Sequence, residues 1–162
     1  MKYRQLTLEE LSELETDFAR FLAANGVPAD HWEKLKSEDS PKVQEFMETF
    51  SDIVFQQVLD KVRYLEHTSP NEVHCFFCDS DTIHLLGIKT AEPADLDFSK
   101  ATDWQAMMDT ARQSGIRLQV FRASKSYHRE RALELFEMME NGAKISKDGL
   151  LYQTLENIVT SA

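Results

Sequence analysis

Cysteine is scarce in this chain of 162 residues, with only Cys75 and Cys78 present. Two are too few for a disulfide-stapled secreted scaffold and fit a reducing compartment. Glycine and proline number five and four, which excludes collagen-like, linker-like and low-complexity chains and leaves an ordinary globular composition. No stretch approaches the roughly 20 apolar residues of a membrane span. Met1 to Glu10 carry charges where a leader peptide would need an unbroken apolar run, so the expected location is the cytoplasm, with no membrane partner. Positive charge is also short: 18 Lys and Arg face 28 Asp and Glu, a formal charge of -10. Such a field repels nucleic-acid phosphates and anionic lipid at long range, so any anion site has to be local.

What is present is helical periodicity at both ends and strand periodicity between them. Thr7 and Glu10 have capping-box spacing, and Leu11, Leu14, Phe18, Phe21 and Leu22 follow on one helical face, stopped by Asn25-Gly26. Asp30 to Lys36 reads as a short helix. Ser40-Pro41 then opens a long one, and Val43, Phe46, Met47, Phe50, Val54, Val58, Val62 and Leu65 make a stripe that predicts helix from Pro41 to about Glu66. On that reading Glu66-His67 sits at a helix C-terminus, where the histidine caps carbonyls. After the Ser69-Pro70 break, Val73–Cys78 and Thr82–Lys89 read as a hairpin joined by Asp79-Ser80-Asp81.

Ala91 to Phe98 is acidic and holds Pro93, which predicts a surface loop with room for a hidden edge strand. Trp104, Met107, Met108 and Ala111 predict a helix closed by Gly115. In 116–122, Ile116, Leu118 and Val120 alternate with Arg117, Gln119 and Phe121, the period of a half-buried strand. Leu133, Phe136 and Met139 predict a helix ending at Asn141-Gly142, and Ser146-Lys147-Asp148 a last one carrying Leu151, Leu155 and Ile158. The expected fold is α+β: a single domain, helical over 1–68 and sheet-containing over 69–162. Its small three-stranded sheet, a hairpin plus one strand after a crossover helix, is packed by the long helix and the C-terminal helices. Trp32 and Trp104 are expected in or beside the core.

Lys2 to Thr7, Tyr64-Leu65-Glu66-His67, and Ser124-Lys125-Ser126-Tyr127 with Glu130-Arg131 together resemble an uncharacterised family of small bacterial proteins, a domain of unknown function. That resemblance implies no activity. The hairpin, Glu72-Val73-His74 through Gly87-Ile88-Lys89, resembles the central hairpin of restriction-endonuclease-like nucleases and implies a degenerate core of that kind. Those enzymes hold magnesium with an acid on the first strand and a Glu two residues before a lysine on the second, because hard cations need carboxylate oxygens. Lys89 matches the lysine, but His74 and Gly87 stand where the two carboxylates would be.

Cys75-Phe76-Phe77-Cys78, flanked by His74 and His84, has zinc or redox spacing. In a regular strand residues three apart point to opposite faces, so the expected role is apolar filling, with no metal and no cofactor. The remaining anomaly is electrostatic. Arg112, Arg117, Arg122, Lys125, Arg129 and Arg131 face the single acid Glu130 in 112–131. Ser124-Lys125-Ser126 is placed between a strand end and a helix start, where free amides and the helix dipole can hold an anion, with Arg117, Arg122, Tyr127 and Arg129 completing the pocket. The alternative is that these cations pair internally and a serine merely caps a helix. No set of nucleophile, base and orienting group can be assembled. The expected function is therefore a non-catalytic protein-interaction domain whose partner is another protein. The alternative is a phosphate- or nucleic-acid-binding module, taking RNA or a phosphorylated ligand at the basic corner 117–131.

Overall fold

The computed structural model describes residues 1–91 and 95–160, and the chain divides into two compact units, Met1–Asp60 and Lys61–Ala162. The first is helical: α1 (Leu8–Glu13), α2 (Glu15–Ala24), α3 (Ala29–Ser37) and α4 (Pro41–Lys61). Thr7 and Glu10 form the expected capping box. Arg4 donates to both Glu10 oxygens, at 2.8 and 2.9 Å, and this bond holds the Glu10 carboxyl down at about 2. Leu14 is both the end of α1 and the start of α2, so the one helix predicted before Gly26 is two. Leu6, Phe18, Leu22, Val27, Leu35 and Phe50 make the core of this unit, with Trp32 edge-on to Phe18 at 5.3 Å.

Among the described residues the second unit holds a sheet of five strands, not three: β1 (Tyr64–Thr68), β2 (Glu72–Cys78), β3 (Thr82–Thr90), β4 (Leu118–Ser126) and β5 (Lys144–Ser146). They lie in the order β4-β3-β2-β1-β5, every neighbouring pair antiparallel. The first missed strand lies where helix was predicted. The long helix ends at Lys61, and Tyr64–Thr68 pairs with β2 from Tyr64 against Phe77 to Thr68 against Val73. Val62 and Leu65 continue the helical spacing of α4, in steps of four and three from Val58, but five residues are too few to separate a period of 3.6 from a period of 2. Partner strands on both sides of β1 decide the matter by satisfying its backbone. Glu66 and His67 therefore lie in a strand, not at a helix end. The second missed strand, β5, has only three residues and pairs with β1, a length too short to show alternation.

Three helices cover this sheet: α5 (Trp104–Gln113), α6 (Arg131–Glu140) and α7 (Leu150–Thr160). Val73, Cys75, Leu86 and Ile88 share one face and pack with Met108 of α5 and Leu151 and Leu155 of α7. By alternation Phe76, Cys78, Ile83 and Leu85 point to the other face, where α6 lies. The predicted loop before α5 keeps a buried anchor: Phe98 starts a 3-10 turn, and its amide donates to Pro70 O at 3.0 Å. Residues 92–94, part of the segment where a hidden edge strand was expected, lie outside the described residues. The described remainder of 91–98 forms no strand.

Candidate functional site

The two cysteines face opposite sides of the sheet, as strand geometry requires, and both are buried. Burial, then the Glu66 charge, pushes the Cys75 thiol far above its ordinary value. Burial pushes Cys78 up to about 12, against the opposing pull of Arg131. Burial thus disfavours the thiolate form of both.

The nuclease-like position is filled by a ring. His74 lies opposite Gly87 on one side, and Phe121 lies opposite Gly87 on the other. A Cβ on Gly87 would stand 2.2 Å from Cε2 and Cζ of Phe121, so the missing side chain is what seats the ring. His74 meets that ring edge-on at 5.3 Å and hydrogen-bonds Glu72 through Nε2 at 2.7 Å. A carboxylate at residue 87 would collide with Phe121 and could not reach a cation there. Phe121 is half-buried as this cover. Among the described residues no group of three or more His, Cys, Asp or Glu is placed to hold a metal ion.

The basic run is dispersed. Ser124, Lys125 and Ser126 lie within β4, which runs four residues beyond the predicted end at Arg122, and α6 starts only at Arg131. Lys125 Nζ donates to Glu134 Oε1 at 2.7 Å, and the His128 amide donates to Glu134 Oε2 at 2.8 Å. The anion of this corner is thus the protein's own carboxylate. Burial by itself would raise the Glu134 carboxyl, but the Lys125 bond and the His128 amide outweigh it and hold it below its ordinary value. Arg129 pairs with Glu137. Arg131 donates to the carbonyls of Asp79 and Cys78 at 3.1 and 3.0 Å and to that of Val62. The Tyr127 hydroxyl also donates to Asp79 O, at 2.8 Å. Arg117 is exposed just ahead of β4. Arg122 is exposed at mid-strand and, among the described residues, forms no hydrogen bond or ion pair.

What β4 offers instead is an edge. Ala91 N–H donates to Arg117 O at 3.0 Å and Thr90 N–H to Asn71 O at 3.1 Å, two bonds that fix the alternation of the antiparallel ladder. Gln119, Phe121, Ala123 and Lys125 bond to β3; the backbone groups of Leu118, Val120, Arg122, Ser124 and Ser126 point outward. Seven of the nine strand residues are exposed, Val120 at 45%. Two hollows flank this edge. On the α6 face, Phe76, Ile83, Leu85, Ala123 and Met138 line an apolar one of about 360 Å³, with Lys125 at its rim. On the α7 face, His84, Arg122, Ser124 and Tyr152 line a polar one of about 280 Å³, in which His84 Nδ1 and Ser124 Oγ are 2.8 Å apart. Burial and the Glu156 charge raise the Tyr152 hydroxyl, while Arg122 opposes the rise.

Residues 1–160 match a protein family described as a family of unknown function, DUF6495. The chain belongs to that family. No curated protein and no solved structure matches it. Membership adds no assigned residue, so the edge and its hollows stand on geometry. Of the sequence-predicted residues, Arg122, Ser124 and Lys125 come together here, whereas Tyr127 and Arg129 turn to the chain's own carbonyl and carboxylate groups. Phe76, Leu85, Met138, His84 and Tyr152 were not anticipated. The one available signal was that Ala123, a small residue between Phe121 and Lys125 in the same row, leaves a gap.

Proposed function

We propose that this chain is a non-catalytic protein-interaction domain of the bacterial cytoplasm, and that its working surface is the outer edge of β4, along which an extended segment of another protein adds as a further strand. The observation that carries this reading is a nine-residue edge strand whose outward amides and carbonyls point away from the sheet. Natural edges of this length are usually shortened, bulged or covered, because open backbone groups template pairing. At about 0.5–1.5 kcal/mol net for each backbone hydrogen bond, a handful of outward groups supports reversible binding in the micromolar to millimolar range once ordering is subtracted.

The phosphate- or nucleic-acid-binding alternative draws on Arg122 and on the exposed Arg112 at the end of α5, since Lys125, Arg129 and Arg131 are already engaged by the chain's own carboxylates and carbonyls. Nucleic acid binding would weaken steeply with salt, whereas strand addition would weaken far less. A photo-reactive side chain at Gln119, expressed in the native cytoplasm, is expected to crosslink a protein. Val120→Pro removes an outward N–H without touching the ladder to β3 and should abolish that crosslink. Crosslinking to RNA, crosslinking that survives Val120→Pro, or an equal crosslink from Ile145 on β5 overturns the proposal.

A further inference from the structure

We infer that the segment received by β4 alternates apolar and acidic side chains, the apolar set lying over Ala123 into the hollow beneath α6 and the acidic set meeting Arg122 beside His84 and Ser124. This rests on the strand-addition reading and names the occupant of that site. Successive side chains of an added strand point to opposite faces of the sheet. The two faces beside β4 differ in chemistry. One presents Phe76, Leu85 and Met138 with Ala123 too short to cover them. The other presents a guanidinium without a hydrogen bond or ion pair among the described residues, a histidine and two hydroxyl-bearing side chains. A peptide that alternates in the same sense satisfies both, and a uniformly apolar or uniformly charged one satisfies only one.

Charge decides among the possible occupants. The strand itself contains Arg122 and Lys125 and no acid. A second copy paired through a two-fold axis at the middle of β4 would set Arg122 against its own counterpart, and like charges directly opposite each other weaken a strand pair. The chain as a whole is acidic at -10, but the sheet unit is nearer balance, with twelve basic against fifteen acidic side chains in Lys61–Ala162. Screening over about 8 Å at physiological salt leaves a bound carboxylate governed by the cation it touches rather than by the distant acids.

The test uses the full chain and short synthetic peptides: one alternating valine with glutamate, one alternating valine with lysine, and one with the valines and glutamates of the first gathered into two blocks. Affinity is read by fluorescence anisotropy and location by amide NMR shifts along β4. The valine–glutamate peptide is expected to bind at least about tenfold more tightly than either of the others, shifting the amides of Val120, Arg122 and Ser124. Arg122→Glu, at an exposed position where the melting temperature is expected to stay unchanged, is expected to reverse the preference toward lysine. Equal binding of the glutamate and lysine peptides at β4 overturns the inference while leaving strand addition standing. Shifts of the same amides on raising the concentration of the chain alone, or their displacement by single-stranded RNA, replace the occupant and overturn it too. If no peptide moves a β4 amide, strand addition fails and the inference fails with it.

Discussion

The two edges of the sheet are managed in opposite ways. At one end stands β5, three residues long, with one register partner each in Tyr64, Leu65 and Glu66. At the other stands β4, nine residues long and exposed along most of its length. Edge strands are blunted most simply by being short, and β5 uses that device. β4 instead carries two cations and no acid, while Phe121 and the Lys125–Glu134 bond hold its inner side in place. The difference teaches that openness at β4 goes with a firmly seated strand: the backbone facing inward is fixed, and the outward groups have no strand partner among the described residues.

The largest expected effect tests the register on which that contrast depends. Ala123→Pro deletes an inward N–H and a ladder bond and should cost about 2–4 kcal/mol, whereas Val120→Pro, at an outward N–H, should cost under about 1 kcal/mol in urea or thermal unfolding. Equal costs would erase the distinction between the inward and outward sets, and a larger cost at Val120 would reverse it. Next, Gly87→Ala forces the Phe121 ring from its seat and should cost about 1–3 kcal/mol. Because ring and glycine act as one contact, the double variant with Phe121→Ala should be less destabilised than the sum, and strict additivity would show that the ring does not hold the strand.

Glu134→Gln should cost about 1–2 kcal/mol by weakening the acceptor shared by Lys125 and the His128 amide. The pH dependence has a definite sign. The folded carboxyl is held below its ordinary 4.5, so its stabilising contribution is complete above that value and is lost as pH falls through the lower folded value. The variant should therefore show a flatter acid limb in unfolding measurements, and an unchanged limb would remove Glu134 from this role. The smallest effect belongs to β5: Ile145→Ala, at a position 38% exposed, should cost under about 1 kcal/mol and leave the peptide affinities of β4 unchanged. Loss of peptide binding on that change would erase the distinction between the edges.

Capping chemistry and long periodic segments were legible from residues alone. Thr7 with Glu10, the Pro41 start of α4, the β2–β3 hairpin and the Gly115 stop, at a positive φ of 70°, each stand where their local signals place them. Short segments were not. Tyr64–Thr68 continues a helical stripe and becomes a strand, and Lys144–Ser146 has no pattern at all. The basic corner was visible as composition, but composition does not say which acid reaches which cation. Glu134 follows Lys125 by nine positions and turns out to be its partner.

Residue chemistry by itself determined the Thr7–Glu10 cap, the start of α4, the β2–β3 hairpin and the opposite faces of Cys75 and Cys78, because each follows from neighbours within a few positions. Only the tertiary structure decided that the sheet has five strands, that Gly87 seats Phe121, and that β4 lies at the rim with a different hollow on each face. Strand order and register are properties of pairs far apart in the chain. A side chain's face and an amide's outward direction are fixed only when the partner strand is in place.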